Sequence, residues 1–141
     1  MLRSQEDFVI LDFEGEAAKP LALRRAKYSP LKDVASMLRS FHYAAYAALF
    51  AFAPASGGPI ERLIPWADAW HHWVSRAFLS AYRMAMSESP LLPEPESFNQ
   101  LLHALIVDKA LCELEFELNS RPEWARIPLT ALVTLALPLQ R

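Results

Sequence analysis

Prolines divide this chain into apolar stretches with helical spacing. The sequence of 141 residues contains eleven prolines, most of them between stretches in which apolar residues recur at steps of three and four. Proline lacks a backbone donor and disfavours helix interiors, so it marks where helices begin and end. The spacing between prolines is typical of amphipathic helices. We predict a mainly α fold, with about four helices preceded by one short strand or hairpin.

The first two predicted helices flank a turn rich in proline and glycine. Residues 29–30 (SP) supply a helix N-cap and a proline at the first helical position. The apolar pattern then predicts a helix to about Phe52. Residues 54–59 (PASGGP) predict a turn that reverses the chain, and the stripe beginning at Leu63 predicts a second helix that ends near Ser87.

The last two predicted helices lie between further prolines. Three prolines in residues 90–95 predict a stiff connection, after which Ser97 and Gln100 have the spacing of a capping box. The third helix is predicted from there to residues 118–119, because an Arg-Pro pair follows. The apolar residues 127–137 predict a short final helix.

One strand is predicted, over residues 8–13 (FVILDF). A lone strand is not stable in water, so we expect it to lie against the helices or to pair with chain outside this sequence. Asp12 and Glu14 stand at its end. Carboxylates at such a position could bind a divalent cation, and a solvated acidic turn is the alternative.

Composition limits the classes of function. The chain is 53% hydrophobic, which is enough to bury the core of a single domain over residues 1–141. The formal net charge is -2, with no basic stripe for nucleic acid and no polybasic segment for a membrane surface. Neither partner is expected. Cys112 is the only cysteine, so no intrachain disulfide is possible and a cytoplasmic location is predicted.

Two stretches of the chain carry a family resemblance. The first comprises residues 12–16 (DFEGE), 29–41 (SPLKDVASMLRSF) and 43–45 (YAA); the second comprises residues 109–124 (KALCELEFELNSRPEW) and 127–129 (IPL). In this order and spacing they resemble the maltokinase family, whose members occur alone or fused behind trehalose synthase. That family is similar in fold to aminoglycoside phosphotransferases. The resemblance implies transfer of the γ-phosphate of ATP to the anomeric hydroxyl of maltose, giving maltose 1-phosphate.

The resemblance covers only the later part of the family's helical C-terminal lobe. The catalytic loop of the family, His-x-Asp-x-His-x-Gly-Gln, is not among these residues, and neither is its nucleotide-binding lobe. Mg²⁺ and ATP are the cofactors that the resemblance implies for the intact family. We expect the chain alone to bind neither Mg²⁺ nor ATP and to be inactive. It would then be a truncated gene product, a product of an internal start or an excised piece.

Three acidic residues have roles implied by the resemblance. Asp12 matches the magnesium-binding aspartate of the family, and Glu14 would support it through water or a second ion, or remain a solvated turn residue. Asp33 lies in the first turn of its predicted helix, where a negative charge is favourable near the helix N-terminus. By resemblance Asp33 would also brace the catalytic loop, but that loop is not among these residues. We therefore predict a structural role for Asp33.

The third predicted helix carries the candidate sugar-binding residues. Lys109 matches a family lysine that contacts the disaccharide, while Cys112 and Phe116 stand where the family has tyrosines. Glu113 and Glu117 could accept hydrogen bonds from sugar hydroxyls. The alternatives are that Cys112 and Phe116 are core residues with Lys109 at the edge of the core, and that the two glutamates belong to a solvated helix face.

Other aromatic residues have a structural interpretation. Three tryptophans of the second predicted helix could form a shelf for stacking a sugar, but their spacing is more typical of packing residues. His71 and His72 are adjacent and cannot together chelate one ion on a helix. His42 and His103 are predicted to be structural. The tryptophans are Trp66, Trp70 and Trp73.

A second interpretation is a helical interaction or sugar-binding module that functions by itself. Such a module would use the face left by the missing lobe to bind a second copy of the chain. Exposed apolar surface favours association, so we predict that the isolated chain self-associates.

Overall fold

The computed structural model describes residues 2–4, 7–9, 20–56 and 59–136, which are mainly helical. A hairpin of β1 (Leu2–Ser4) and β2 (Asp7–Val9) precedes the helices. These are α1 (Leu21–Arg25), α2 (Leu31–Ser56), α3 (Ile64–Ala85), α4 (Pro95–Ser120) and α5 (Arg126–Ala136), with single 3₁₀ turns at Ile60–Arg62 and Pro122–Trp124. The predicted mainly α fold with about four helices after a short strand or hairpin is confirmed.

The start of α2 was predicted well, and its end was predicted four residues early. The Ser29 hydroxyl oxygen accepts a hydrogen bond from the backbone N–H of Leu31 at 3.3 Å, which satisfies one donor at the start of α2. The other end of α2 lies at Ser56 rather than near Phe52. Pro54 lacks the N–H that would bond the carbonyl four residues earlier, but the helix continues for two residues beyond it.

The predicted capping box at Ser97 and Gln100 is wrong. The α4 helix begins at Pro95, two residues earlier, and Ser97 lies within its first turn. Proline at a helix start loses no hydrogen bond, since its N–H would have no partner there. The Gln100 side chain instead donates to Glu96 Oε1 at 3.5 Å.

The N-terminal strand pairs within the chain. In the antiparallel hairpin Leu2 is opposite Val9 and Ser4 is opposite Asp7. The described part of the predicted strand, Phe8 and Val9, lies in β2, and residues 10–13 are outside the described residues. Within the described residues, its pairing partner is Leu2–Ser4. The single-turn helix α1 was not predicted, because five residues are too few to show a helical period.

The α2 helix is the centre of the bundle. One core cluster joins Leu31 and Val34 of α2 to Phe98 and Leu102 of α4, and a second joins the later part of α2 to Ile127 of α5. Contacts advance in the same direction along α2 and α4, so these two helices run parallel. The α3 helix returns antiparallel to α2, which allows α4 to repeat the direction of α2.

Charged and hydrogen-bonding side chains join α2 to α4. Arg39 is only 3% exposed, and its Nε and Nη2 donate to the same Glu113 oxygen at 3.1 and 2.7 Å. One turn further, Tyr43 donates to Glu117 Oε1 at 2.7 Å. Arg121 donates to both oxygens of Glu117, at 2.7 and 3.0 Å. The buried charges at this interface are therefore compensated.

We predict that Glu113→Ala destabilises the fold by about 3 kcal/mol, because it leaves the buried Arg39 guanidinium without a counter-charge. Urea unfolding followed by far-UV circular dichroism measures the change. The matched control is Glu115→Ala, an exposed position of the same helix, which should change the unfolding free energy by less than about 0.5 kcal/mol. Equal effects of the two substitutions would contradict a stabilising role for the pair.

Candidate functional site

The predicted metal-binding residues, Asp12 and Glu14, lie outside the described residues. Asp33 is described: it is exposed in the first turn of α2, where its charge is favourable near the helix N-terminus. Among the described residues, no three His, Cys, Asp or Glu side chains are grouped so that they could hold a metal ion.

The predicted sugar-binding residues follow one another along α4. Lys109 and Cys112 are half-buried, while Phe116 is exposed and therefore not a core residue. The Arg121 guanidinium lies 5.7 Å from the centroid of the Phe116 ring. Phe116 thus presents an aromatic surface at the C-terminal half of α4.

Glu113 and Glu117 do not form a solvated helix face. Glu113 is the partner of Arg39, and Glu117 is 1% exposed and bonded to Tyr43 and Arg121. Burial and the hydrogen bond to Glu117 raise the pKa of Tyr43 to about 12, so its hydroxyl stays protonated as a donor. Both carboxylates therefore stabilise the α2–α4 interface, and any sugar contact of Glu113 would compete with Arg39.

A cavity of about 1070 Å³ lies between α2, α3 and α5, with Ile106 of α4 in its wall. Most of its wall is apolar, with side chains such as Leu38, Leu79 and Ile106. None of the predicted sugar-binding residues of α4 lines it. We refer to it below as the α2–α3 cavity.

Two histidines from different helices meet in the wall of the α2–α3 cavity. The rings of His42 and His71 are perpendicular, with centroids 5.1 Å apart. His42 also stacks on Tyr46 at 4.6 Å. The Tyr46 hydroxyl donates to Asp68 Oδ1 at 2.8 Å, and burial together with this bond raises the pKa of Tyr46 to about 12. Sequence analysis predicted a structural His42, but missed its meeting with His71.

The buried imidazole of His42 is neutral at physiological pH. Burial lowers its pKa from 6.5 to about 3, and the charges of Arg39 and His71 add to this effect. The pKa of His71 is lowered by burial and by Arg39. The Nδ1 atom of His42 is buried without a hydrogen-bond partner in the described part of the chain.

The tryptophans of α3 are not packed into the interior. Trp66 is 75% exposed and Trp73 68%, so the prediction that they are packing residues is wrong for these two. Trp70 is 47% exposed, and its ring packs edge-on against Phe41 with centroids 6.5 Å apart. The three tryptophans repeat at steps of four and three and therefore share one face of α3. Met84 is exposed further along the helix. The described part of α3 contains no fully buried residue.

No protein-family model matches the chain. Its described helices also include none with both the length and the apolar character needed to span a bilayer.

We predict that lowering the pH from 7 to 5 destabilises the wild-type chain by about 2 kcal/mol more than the His42→Gln variant. Between pH 6.5 and about 3, the unfolded chain takes up a proton at residue 42 that the folded chain does not. The unfolding free energy therefore falls as the pH is lowered. Urea unfolding at both pH values measures this difference.

The control for the pH experiment is His103→Gln, at an exposed position of α4. This variant should keep the pH dependence of the wild type. If His42→Gln keeps it as well, His42 is not held neutral in the folded chain.

Proposed function

We propose that this chain forms the helical sugar-binding part of a maltokinase-like phosphotransferase. Such an enzyme makes maltose 1-phosphate from ATP and maltose, in trehalose and glycogen metabolism. The proposal rests on the resemblance of two separate stretches of sequence. The mainly helical fold supports it, since a helical C-terminal lobe is what the resemblance implies.

The observation that carries the proposal is the pairing of the two stretches with each other. Residues 29–41 and 43–45 lie at the start of α2 or within it, and residues 109–124 cover the end of α4 and the turn after it. Arg39 of the first stretch bonds Glu113 of the second, and Tyr43 bonds Glu117. The residues that resemble the family therefore form one interface between α2 and α4. This is expected if the two stretches stabilise the same fold.

The proposed roles follow the family positions. Asp12 would hold Mg²⁺, which neutralises charge on the phosphates of ATP when it is bound. Lys109 would donate hydrogen bonds to sugar hydroxyls. Both ATP and a free thiol such as that of Cys112 suit a cytoplasmic location, which we include in the proposal.

The acceptor sugar is proposed to be maltose or a related sugar. Cys112 and Phe116 lack the phenolic hydroxyls of the tyrosines usual at these positions, so they offer fewer hydrogen bonds to sugar oxygens. The exposed ring of Phe116 can instead stack on the apolar face of a sugar. Cys112 and Phe116 in place of tyrosines therefore favour recognition of the sugar by apolar contact over recognition by hydrogen bonds.

We predict that a chimera phosphorylates maltose when residues 8–141 replace the matching segment of a maltokinase. Within it, Asp12→Asn should lower kcat about a hundredfold, because charge on the transferring group is no longer neutralised. Lys109→Ala should raise the KM for maltose about tenfold through loss of a charged donor. A coupled ADP-release assay and ³¹P NMR of the product measure both.

Lys27→Ala is the matched control in the chimera, because Lys27 is exposed in the segment between α1 and α2. It should change neither constant. The chain of 141 residues alone should form no maltose 1-phosphate, since it contains no catalytic-loop motif. A folded but inactive chimera, or unchanged kinetics in Lys109→Ala, would be evidence against the proposal.

The second candidate function is that of a helical module that binds a second copy of itself, and the exposed face of α3 favours it. Trp66, Trp70 and Trp73 together expose roughly 450 Å² if a whole tryptophan contributes about 250 Å². A standard interface buries about 800 Å² on each partner. The tryptophans alone supply more than half of that area.

We predict that the chain dimerises at micromolar concentration and that Trp66→Ser/Trp73→Ser weakens the dimer at least about tenfold, because the apolar area is lost. Sedimentation velocity over a range of concentrations measures this. Phe52→Ser, which removes an exposed aromatic side chain from α2, is the control and should leave the dimer intact. A wild-type chain that stays monomeric throughout would exclude this function.

A further inference from the structure

The α4 helix carries apolar residues on more than one side. Phe98 and Leu102 are buried in the bundle. Leu101, Leu111 and Leu118 are exposed, the last two by more than half of their surface. A helix that is apolar all round is typical of a helix that is covered on every side. The exposed side of α4 therefore has the character of a surface that packs against another helix.

The exposed side of α4 follows a regular spacing. Six positions recur at steps of three, four, three, four and three residues, and all six are exposed. Residues at these steps share one side of a helix and form the seam along which two helices pack. Three positions are leucine and two are acidic. We call this set the outer face of α4: Leu101, Ala104, Asp108, Leu111, Glu115 and Leu118.

The α3 helix has an exposed side with the same spacing. Six of its positions recur at steps of three, four, three, four and three residues, and these too are all exposed. Two tryptophans lie in the first half of this side and two arginines in the second half. We call this set the outer face of α3: Trp66, Ala69, Trp73, Arg76, Ser80 and Arg83.

The two outer faces match in an antiparallel arrangement of the helices. The steps of three and four follow in the same order forwards along α3 and backwards along α4, so each position of one face has a partner on the other. Trp66 is then opposite Leu118, and Trp73 is opposite Leu111. Both tryptophans would therefore be covered by leucines, which removes apolar surface of both helices from water.

Opposite charges meet in the same antiparallel register. Arg76 is opposite Asp108; both are exposed, and neither forms an ion pair with another described residue. Arg83 is opposite Leu101, which its apolar stem can cover while the guanidinium stays in water. A parallel arrangement would instead place Arg76 and Asp108 opposite apolar residues. Charge complementarity therefore favours the antiparallel arrangement.

The small residues of the two faces are also compatible with this register. Ser80 is opposite Ala104, and two small side chains allow the helix backbones to approach closely. Ala69 is opposite Glu115, whose carboxylate then has room to remain hydrated. No position of the antiparallel register places like charges opposite each other.

We propose that, in a dimer of this chain, the outer face of α3 of one copy packs antiparallel on the outer face of α4 of the other. In a two-fold dimer this contact occurs twice, because each copy supplies both faces. The inference rests on the proposed dimerisation and adds the surface that the tryptophans contact on the second copy. It does not depend on the kinase proposal.

Reversal of single charges tests the contact between Arg76 and Asp108. Arg76→Glu and Asp108→Lys should each weaken self-association at least about tenfold, because like charges then meet across the interface. An equimolar mixture of the two variants should associate within about threefold of the wild type, since each variant offers the other an opposite charge. Sedimentation velocity measures the association, and far-UV circular dichroism shows that both variants are folded.

The matched controls for charge reversal are Arg25→Glu and Glu88→Lys. They make the same changes of charge at exposed positions outside both outer faces. Each should leave the dissociation constant within about twofold of the wild type. Their mixture should therefore show no gain in association.

Cross-linking between copies tests the register. With Cys112→Ser in both copies, Ser80→Cys in one copy and Ala104→Cys in the other should form a disulfide under mild oxidation, because these positions are opposite each other. Ala69→Cys is the control for Ser80→Cys, since it lies on the same face but opposite a different residue. It should cross-link to Ala104→Cys at least about tenfold more slowly, as measured by non-reducing electrophoresis.

The outcomes separate this contact from dimerisation itself. A wild-type chain that stays monomeric excludes both. A dimer that is unaffected by Arg76→Glu and Asp108→Lys, or a mixture of them that does not regain association, overturns the contact and leaves dimerisation through another surface. Equal cross-linking rates for Ala69→Cys and Ser80→Cys would likewise refute the antiparallel register.

Discussion

The buried guanidinium of Arg39 is the constraint on which the arrangement of the helices depends. A charge that is 3% exposed needs a carboxylate nearby, and Glu113 of α4 supplies it. This contact requires α4 to run beside α2, and the next turn then brings Tyr43 to Glu117. Because α4 runs parallel to α2, the chain must return between them, and α3 makes this return. The ion pair and its neighbour, one turn apart, therefore set the direction of α4 beside α2.

The two sides of α2 differ in how completely their polar groups are satisfied. Toward α4, Arg39 pairs with Glu113, and Tyr43 and Arg121 both donate hydrogen bonds to Glu117. Toward α3, His42 and Ser75 each have a buried polar atom that meets no hydrogen-bond partner among the described residues. Satisfied polar groups specify a structure, whereas unsatisfied buried ones destabilise it. The stretches that resemble a kinase family meet on the satisfied side.

Local sequence signals predicted the helices, and contacts between residues distant in sequence decided how the helices pack. Proline and apolar spacing located all four long helices, since both act through the backbone of neighbouring residues. The Ser97–Gln100 prediction was wrong because Pro95 offers an earlier start of equal quality. The sequence identifies Glu113 as a polar residue of α4. It does not identify its partner, because Arg39 is 74 residues away in the chain. The meeting of His42 with His71 likewise depends on how α3 packs, and the exposure of Trp66 and Trp73 has no local signature.

The separation of 74 residues between Arg39 and Glu113 also bears on the order in which the chain can assemble. Closing a flexible loop of that length costs about 4 kcal/mol in chain entropy, before any contact compensates. Once α3 lies along α2, only the short segment between Ala85 and Pro95 remains to be closed. Loop entropy therefore favours pairing of α2 with α3 before α4 packs against them. In this order the ion pairs to α4 form last, and Arg39 remains hydrated until they form.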